Sequence, residues 1–258
     1  MKIATWNVNS LKVRLPQVQD WLAQHAADVL VLQELKLDQG AFPQAEIEAA
    51  GYQAAWYGQK TYNGVAILTR DGWNVTDVVS GIPDYADPQA RVIAATVGDV
   101  RVICVYCVNG EAVGSEKFAY KLAWFEQLTR YVQAEMARYP KLVLLGDFNI
   151  APDDRDTYAP AADALLCSPQ ERQAWQNLLD LGLEDSYRIF HAEGGLYSWW
   201  DYRAAMFRRD LGLRIDHILI SAALRAQAVA CEIDKPTRKN ERPSDHAPVI
   251  LTLQDAPC

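Results

Sequence analysis

Asp147 and Asn149 follow an unbroken apolar run in KLVLLGDFNIAP over 141–152. Leu142, Val143, Leu144 and Leu145 read as a strand buried on both faces. Gly146 ends it, and Pro152 stops further pairing. If the extended backbone continues past the glycine, the carboxylate and the carboxamide point the same way and can meet one substrate. The alternative is an Asx turn in which Asn149 serves only as a cap. A carboxylate at the mouth of a buried strand is a costly placement of charge, and such placements mark candidate sites. The other polar candidates also fall at strand ends. Asn7 and Asn9 follow the first expected strand, Glu34 the second, and Tyr106 stands near the end of another. Asp216 and His217 lie in LRIDHILI, and Ser244, Asp245 and His246 precede the last strand. One such residue is ordinary; a whole set implies a single site along one edge of the sheets.

The chemistry open to this set is narrow. The chain has no G-x-S-x-G elbow, no P-loop lysine motif and no G-x-G-x-x-G. Oxygen donors without cysteines or a histidine cluster select a hard cation, magnesium or manganese. A hard cation, an imidazole and acids together suit hydrolysis of a phosphate ester, whose transition state gathers negative charge on oxygen.

The elements that must position these residues follow from hydrophobic periodicity. Strands are expected over 2–8, 29–32, 64–69, 75–79, 91–96 and 101–108, then over 142–145, 197–202, 213–220, 228–231 and 249–253. Helices are expected over 17–25, 117–138 and 169–181, the second long and amphipathic with Phe118, Leu122, Phe125, Leu128 and Val132 on one face. No repeat or linker divides the chain. The pattern fits a single α/β domain over 1–258, with two packed mixed sheets and helices outside, and does not by itself separate this from a three-layer sandwich.

At 258 residues and 50% apolar, the chain is long enough for one large core. It contains no 18-residue apolar span and does not begin like a signal peptide, so a cytoplasmic protein without a membrane partner is expected. Five cysteines, with no second C-x-x-C pair, argue for reduced thiols and against zinc. Cys104 and Cys107 would face opposite sides of a strand, which favours packing. The net charge of −8 argues only weakly against nucleic acid. A metal-dependent nuclease needs carboxylates in its site, and a local basic rim can steer a polyanion, with modest and salt-sensitive affinity.

WNVNS (6–10), LQELK (32–36), GDFN (146–149), LRIDHIL (213–219) and PSDHAP (243–248) occur in the order seen in exonuclease III. The chain resembles the exonuclease III family of apurinic/apyrimidinic endonucleases, within the endonuclease/exonuclease/phosphatase superfamily, from residue 2 to about residue 253. The segment YSWWDYR (197–203) looks like the DNA-repair branch rather than the lipid phosphatases. The resemblance implies a four-layer α/β sandwich, two packed mixed β-sheets flanked by helices. It implies Glu34 as principal metal ligand, assisted by Asn7 and Asp245, with magnesium as cofactor and manganese as substitute. It implies that His246 contacts the scissile phosphate and Asp216 orients it, that Asp147 aligns or deprotonates the attacking water, and that Asn149 holds substrate or water. Tyr106 matches the tyrosine beside the phosphate, although Val108 replaces the proline usual two residues on. Leu35 stands where threonine is common, and His217 is expected to be structural.

On the substrate side, the resemblance puts Trp199, Leu213 and Ile215 at positions lining the pocket for a sugar without a base, with Ile215 the one most readily read as core. Asn9 joins the substrate side, and Arg91, Lys117, Lys121, Arg203 and Arg208 are candidate phosphate contacts. In LLCSPQER (165–172), Leu166 takes a position that is usually small in members resembling efficient abasic endonucleases. The implied function is a metal-dependent DNA phosphodiesterase of repair, a monomer acting on duplex DNA. It would be a 3′–5′ exonuclease and 3′-end-processing enzyme, with abasic-site incision as a further activity. Two rivals are a phosphatase of the same superfamily for a small phosphorylated substrate, and a catalytically dead DNA-binding module. The second would be expected to lack some of Glu34, Asp147, Asp216 and His246, and all are present.

Overall fold

A computed structural model describes residues 1–161 and 164–254; Cys258 lies outside them. Twelve strands form two sheets of six. The first contains β1 (Lys2–Asn7), β2 (Val29–Gln33), β3 (Tyr52–Tyr57), β4 (Val65–Arg70), β11 (Ala228–Ile233) and β12 (Val249–Leu253), in the order β11-β12-β1-β2-β4-β3. The second contains β5 (Val75–Ser80), β6 (Val92–Val97), β7 (Val100–Tyr106), β8 (Leu142–Asp147), β9 (Leu183–Asp185) and β10 (Asp216–Ser221), in the order β5-β6-β7-β8-β10-β9. Both sheets are mixed: β1 and β2 run parallel, as do β7 and β8, while β1–β12 and β8–β10 are antiparallel.

Helices α1 (Leu11–His25) and α2 (Gln44–Ala49) cover the first sheet, and α3 (Glu116–Arg138) and α4 (Pro169–Leu179) the second. Short helices α5 (Ser186–Phe190) and α6 (Ala222–Arg225) complete the set. Side-chain alternation along the central strands explains the layering. Val143 and Leu145 of β8 enter the core between the sheets, while Leu142 and Leu144 pack beneath Phe125, Leu128 and Trp175 of the helices. Ile3 of β1 joins the inter-sheet core, and Ala4 and Trp6 meet Val18, Trp21 and Leu22 of α1. The architecture is the expected four-layer sandwich. Cys104 and Cys107 are buried on opposite faces of the second sheet, as their spacing requires.

Several elements differ from the expectation. Helix α1 starts at Leu11 and runs through Pro16 instead of starting after it. No strand spans 197–202; Trp199 makes only isolated bridges to Leu213 and His246. The strand expected from Leu213 begins at Asp216. Strands β3 and β9, unexpected from the pattern, lie at sheet edges.

Candidate active site

The polar set forms the top layer of the inter-sheet space. Tyr106 pairs across the sheet with Asp147, and Asp147 pairs with Asp216, so the three side chains stand in a row on one face. They share the parity of Cys104, Leu145 and Ile218, which lie in the inter-sheet core. Asn7 continues the inward column of Ile3 and Thr5 from the opposite sheet. Below them, Thr5 and Gln33 bond each other at 3.0 and 3.2 Å, and Gln33 reaches the Cys104 sulfur. Apolar layers thus give way to a neutral polar layer and then to charge. Gly146 is what brings β8 this close to β7, since a Cβ there would sit 1.9 Å from the Val105 carbonyl oxygen.

Asn7 donates its amide N–H groups to Glu34 Oε1 and Asp147 Oδ2, both at 2.9 Å, tying the two sheets together. Its Oδ1 accepts the Asn9 N–H at 2.9 Å. His246 Nδ1 lies 2.8 Å from Asp216 Oδ2, and its Nε2 faces Asp147 Oδ2 at 3.8 Å. Burial works against charge on His246, but the Asp216, Asp147 and Asp245 carboxylates outweigh it and hold the imidazole well above its ordinary value. Burial pushes the Asp147 carboxyl up, against the pull of His246 and of the Asn7 and Asn149 N–H groups. Burial, with the Glu34 and Asp147 charges, likewise pushes the Tyr106 phenol well up, so it stays a neutral donor.

Ligand atoms of Glu34, Asp147 and His246 lie within 4.8 Å of one another. Four carboxylates, Glu34, Asp147, Asp216 and Asp245, face two cations here, Lys36 and His246. The excess of buried negative charge and the oxygen-rich donors fit a hard divalent cation. Asp245 stands beside this group: its oxygens accept Asn9 Nδ2 and Trp199 Nε1, both at 2.9 Å. Its carboxyl is held low: burial works against the charge, but His246, Trp199 and Asn9 outweigh it.

Asn149 is not on a continuing strand. Its φ is +49°, and its N–H donates to Asp147 Oδ1 at 2.9 Å, so the Asx turn is the conformation adopted. Its Nδ2 donates to the Cys107 carbonyl, and its Oδ1 accepts from Asn109 Nδ2. Leu166, Leu213, Ile215 and Ala151 form a small apolar cluster, separate from the main cores, with Trp199 against it. The substrate-side candidates Leu166, Trp199 and Leu213 therefore meet at the flank of the acidic layer. Arg91 is nearly buried, donating to Gln89 and to the Tyr106 carbonyl, with its guanidinium 4.9 Å from the Tyr106 ring centre. It braces Tyr106 more than it presents charge. Lys117 and Arg203 are surface residues paired with Glu111 and Asp201, and Arg208 is exposed. Lys121 is no phosphate contact: it is fully buried and bonded to Glu171. His217 points to the opposite face of its sheet, against Phe148 and Trp175, as a structural residue should.

Two contributors, Lys36 and Ser198, escape a reading of strand ends, and Ser244, which that reading includes, proves to brace the site. Lys36 Nζ lies 2.6 Å from Asn9 Oδ1 and 3.0 Å from Glu34 Oε2; its place in LQELK was the available signal. Buried Ser198 donates to Asp216 Oδ2 at 2.7 Å and accepts the N–H groups of Ile215 and Asp216. Ser244 donates to the Asn7 carbonyl at 2.6 Å and accepts the His246 N–H. Nothing in local sequence distinguishes Ser198 from a loop serine.

Two packed six-stranded sheets with acids and a histidine at one end define a class of metal-dependent phosphoester hydrolases. Residues 4–246 match the model of the endonuclease/exonuclease/phosphatase family. The chain is similar to exodeoxyribonuclease III of Haemophilus influenzae, 36% identical over 264 residues that cover 96% of this chain and 98% of that protein. Two solved structures, a 3′ phosphatase from Neisseria bound to a product DNA hairpin and a 3′–5′ exonuclease from Neisseria meningitidis, are each 59% identical to it. Each has a TM-score of 0.96 and covers 99% of this chain and 100% of its own. The chain belongs to the exonuclease III family within the endonuclease/exonuclease/phosphatase family, and is a hydrolytic nuclease.

Proposed function

We infer that the chain is a DNA-repair phosphodiesterase dependent on magnesium, with manganese as a substitute. It removes nucleotides 3′ to 5′ and processes blocked 3′ ends of duplex DNA, with abasic-site incision as a further activity. The observation that carries this is the meeting of Glu34, Asp147 and His246 within 4.8 Å, with Asp216 behind the histidine. The names of the relatives describe DNA exonucleases, and one relative is bound to product DNA, so a phosphatase for small substrates is not favoured. We further propose that it works as a single-domain monomer in the cytoplasm; among the described residues, no helix is long and apolar enough to cross a membrane.

Glu34 would hold the cation, assisted by Asn7 and Asp245. Bound there, the cation supplies charge that offsets the negative charge building on the phosphate oxygens. The rest falls to side chains. His246, charged and oriented through Nδ1 by Asp216, presents Nε2–H to the phosphate. Asp147, held in place by the Asn7 and Asn149 N–H groups, accepts the proton of the attacking water. Tyr106 remains a neutral donor beside the phosphate. Asn149, fixed by its turn, holds substrate or water.

The decisive experiment runs one enzyme preparation on a recessed 3′ end, a 3′ phosphate and an internal abasic site, with and without a chelator. Activity on the 3′ substrates should vanish on chelation and return with magnesium. Calcium, with looser geometry, should bind yet support little turnover. Glu34→Gln should lower the rate by about 10²-fold or more with the circular dichroism spectrum unchanged. Full activity in chelator would end the metal-dependent reading.

A further inference from the structure

Lys121 and Glu171 are fully buried and form an ion pair between α3 and α4. Neither hydrogen-bonds to the acidic layer, and the two helices also meet through Phe125, Leu128, Ala174 and Trp175. What the pair holds is loops. Lys121 Nζ donates to the Asn149 carbonyl at 2.7 Å and to the Asn109 carbonyl at 3.0 Å, which with Glu171 Oε1 uses all three of its protons. Glu171 Oε1 also accepts the Leu166 N–H at 3.0 Å, and its Oε2 accepts Ser168 N–H and Oγ–H at 3.0 and 2.7 Å. One buried pair therefore binds the chain just after Asp147, the loop after Tyr106, and the segment carrying Leu166.

We propose that Lys121 and Glu171 are a positioning pair that fixes Asn149 relative to the Leu166 segment and thereby sets the choice between a terminal 3′ group and an internal abasic site. Two non-glycine residues in the left-handed region support this, Asn149 at φ +49° and Leu166 at φ +71°. Such conformations persist only where surrounding contacts over-determine them. At Asn149 the turn that offers its carbonyl to Lys121 also delivers its N–H to Asp147 Oδ1. At Leu166 the N–H on Glu171 fixes the direction in which the side chain enters the cluster with Leu213 and Trp199. The charge on Lys121 thus acts on the reaction through backbone groups, with no contact to DNA.

This rests on the roles given above to Asp147 and Asn149. The test is the double variant Lys121→Met/Glu171→Gln, which removes both charges at nearly constant volume and leaves no buried charge unpaired. Thermal unfolding and circular dichroism report the fold; kcat and KM are measured on a recessed 3′ end and on an internal abasic duplex. A small displacement of reacting groups should lower kcat by about ten- to a hundredfold with KM little changed. The two substrates should lose unequally, shifting their rate ratio by about fivefold or more. A folded variant with wild-type kcat and ratio would overturn the proposal, as would equal losses that track the folded fraction. Should the double variant not fold, Ser168→Ala removes the two hydrogen bonds of the Ser168 hydroxyl with Glu171, one to Oε2 and one from its N–H, and leaves the ion pair in place. It should shift the same ratio in the same assay, and an unchanged ratio would overturn the proposal. Wild-type protein inactive on both DNAs would remove the underlying reading as well, whereas active wild type with an unaltered variant would remove the coupling alone.

Discussion

Asp216 spends one oxygen on two partners, Ser198 Oγ and His246 Nδ1, at 2.7 and 2.8 Å. The carboxylate is thereby oriented before it orients the imidazole. Residues that act as a unit lose their effect together. His246→Ala and Asp216→Ala should each lower kcat by about 10²- to 10⁴-fold on a recessed 3′ end, and the double variant should be little worse than His246→Ala. Multiplicative losses in the double variant would mean that the two work independently. Residue types at strand ends were enough to nominate Asp216, His246, Glu34 and Asp147, because a strand end is where a polar side chain leaves an apolar column. The search for basic phosphate contacts misplaced Lys121, since helical position alone does not reveal a carboxylate 50 residues on that neutralises a lysine in the core. It also left the Asn149 turn open, because φ beyond a glycine is not written in residue type.

At the scale of elements, long periodic segments were legible and edges were not. The run of four aliphatic residues in β8 is buried on both faces, and α3 differs from its expected bounds by a single residue. Edge strands β3 and β9 were missed because half-exposed YQAAWY and three-residue LED carry little alternation. The irregular 164–168 segment is held in part by Glu171, which accepts the Leu166 and Ser168 N–H groups. Leu166 sits there with 8% exposure, against Leu213 and Trp199. A branched side chain at this flank should crowd a flipped-out sugar more than a frayed 3′ end. Overpacking of that kind costs about 1–3 kcal/mol, or roughly 5- to 160-fold in rate. Leu166→Gly also suits φ +71° and should raise abasic incision selectively, with 3′-end processing nearly unchanged. Equal effects on both substrates, or strong abasic incision by the unmodified enzyme, would refute this.

At the scale of the whole molecule, the reactive layer rests on a second buried charge network beneath the other face of β10. Arg214 donates to Asp156 at 2.6 and 3.2 Å, to Asp185 at 2.8 Å and to His217 Nδ1 at 3.0 Å. His217 completes the link by donating Nε2–H to the Ile150 carbonyl at 2.8 Å. Its Nδ1 is therefore an acceptor, and a proton there would meet the guanidinium. Burial and Arg214 hold His217 down at about 4 against an ordinary 6.5. Between those values the unfolded chain binds more protons than the fold, so this contribution to stability is complete above pH 6.5 and is lost as pH falls toward 4. Its size is on the order of 3 kcal/mol, which for a chain of this length corresponds to about 6–12 °C in thermal midpoint. Buried Asp147, raised to about 7 when no cation is present, acts with the opposite sign in the same window, so the wild-type slope alone is a mixture. Comparison with His217→Gln isolates the term: the variant should be destabilised at pH 7.5, and the gap to wild type should close by about that amount toward pH 4.5. Thermal midpoints measured in parallel across this range decide it, and a gap independent of pH would mean that His217 carries no proton-linked stability.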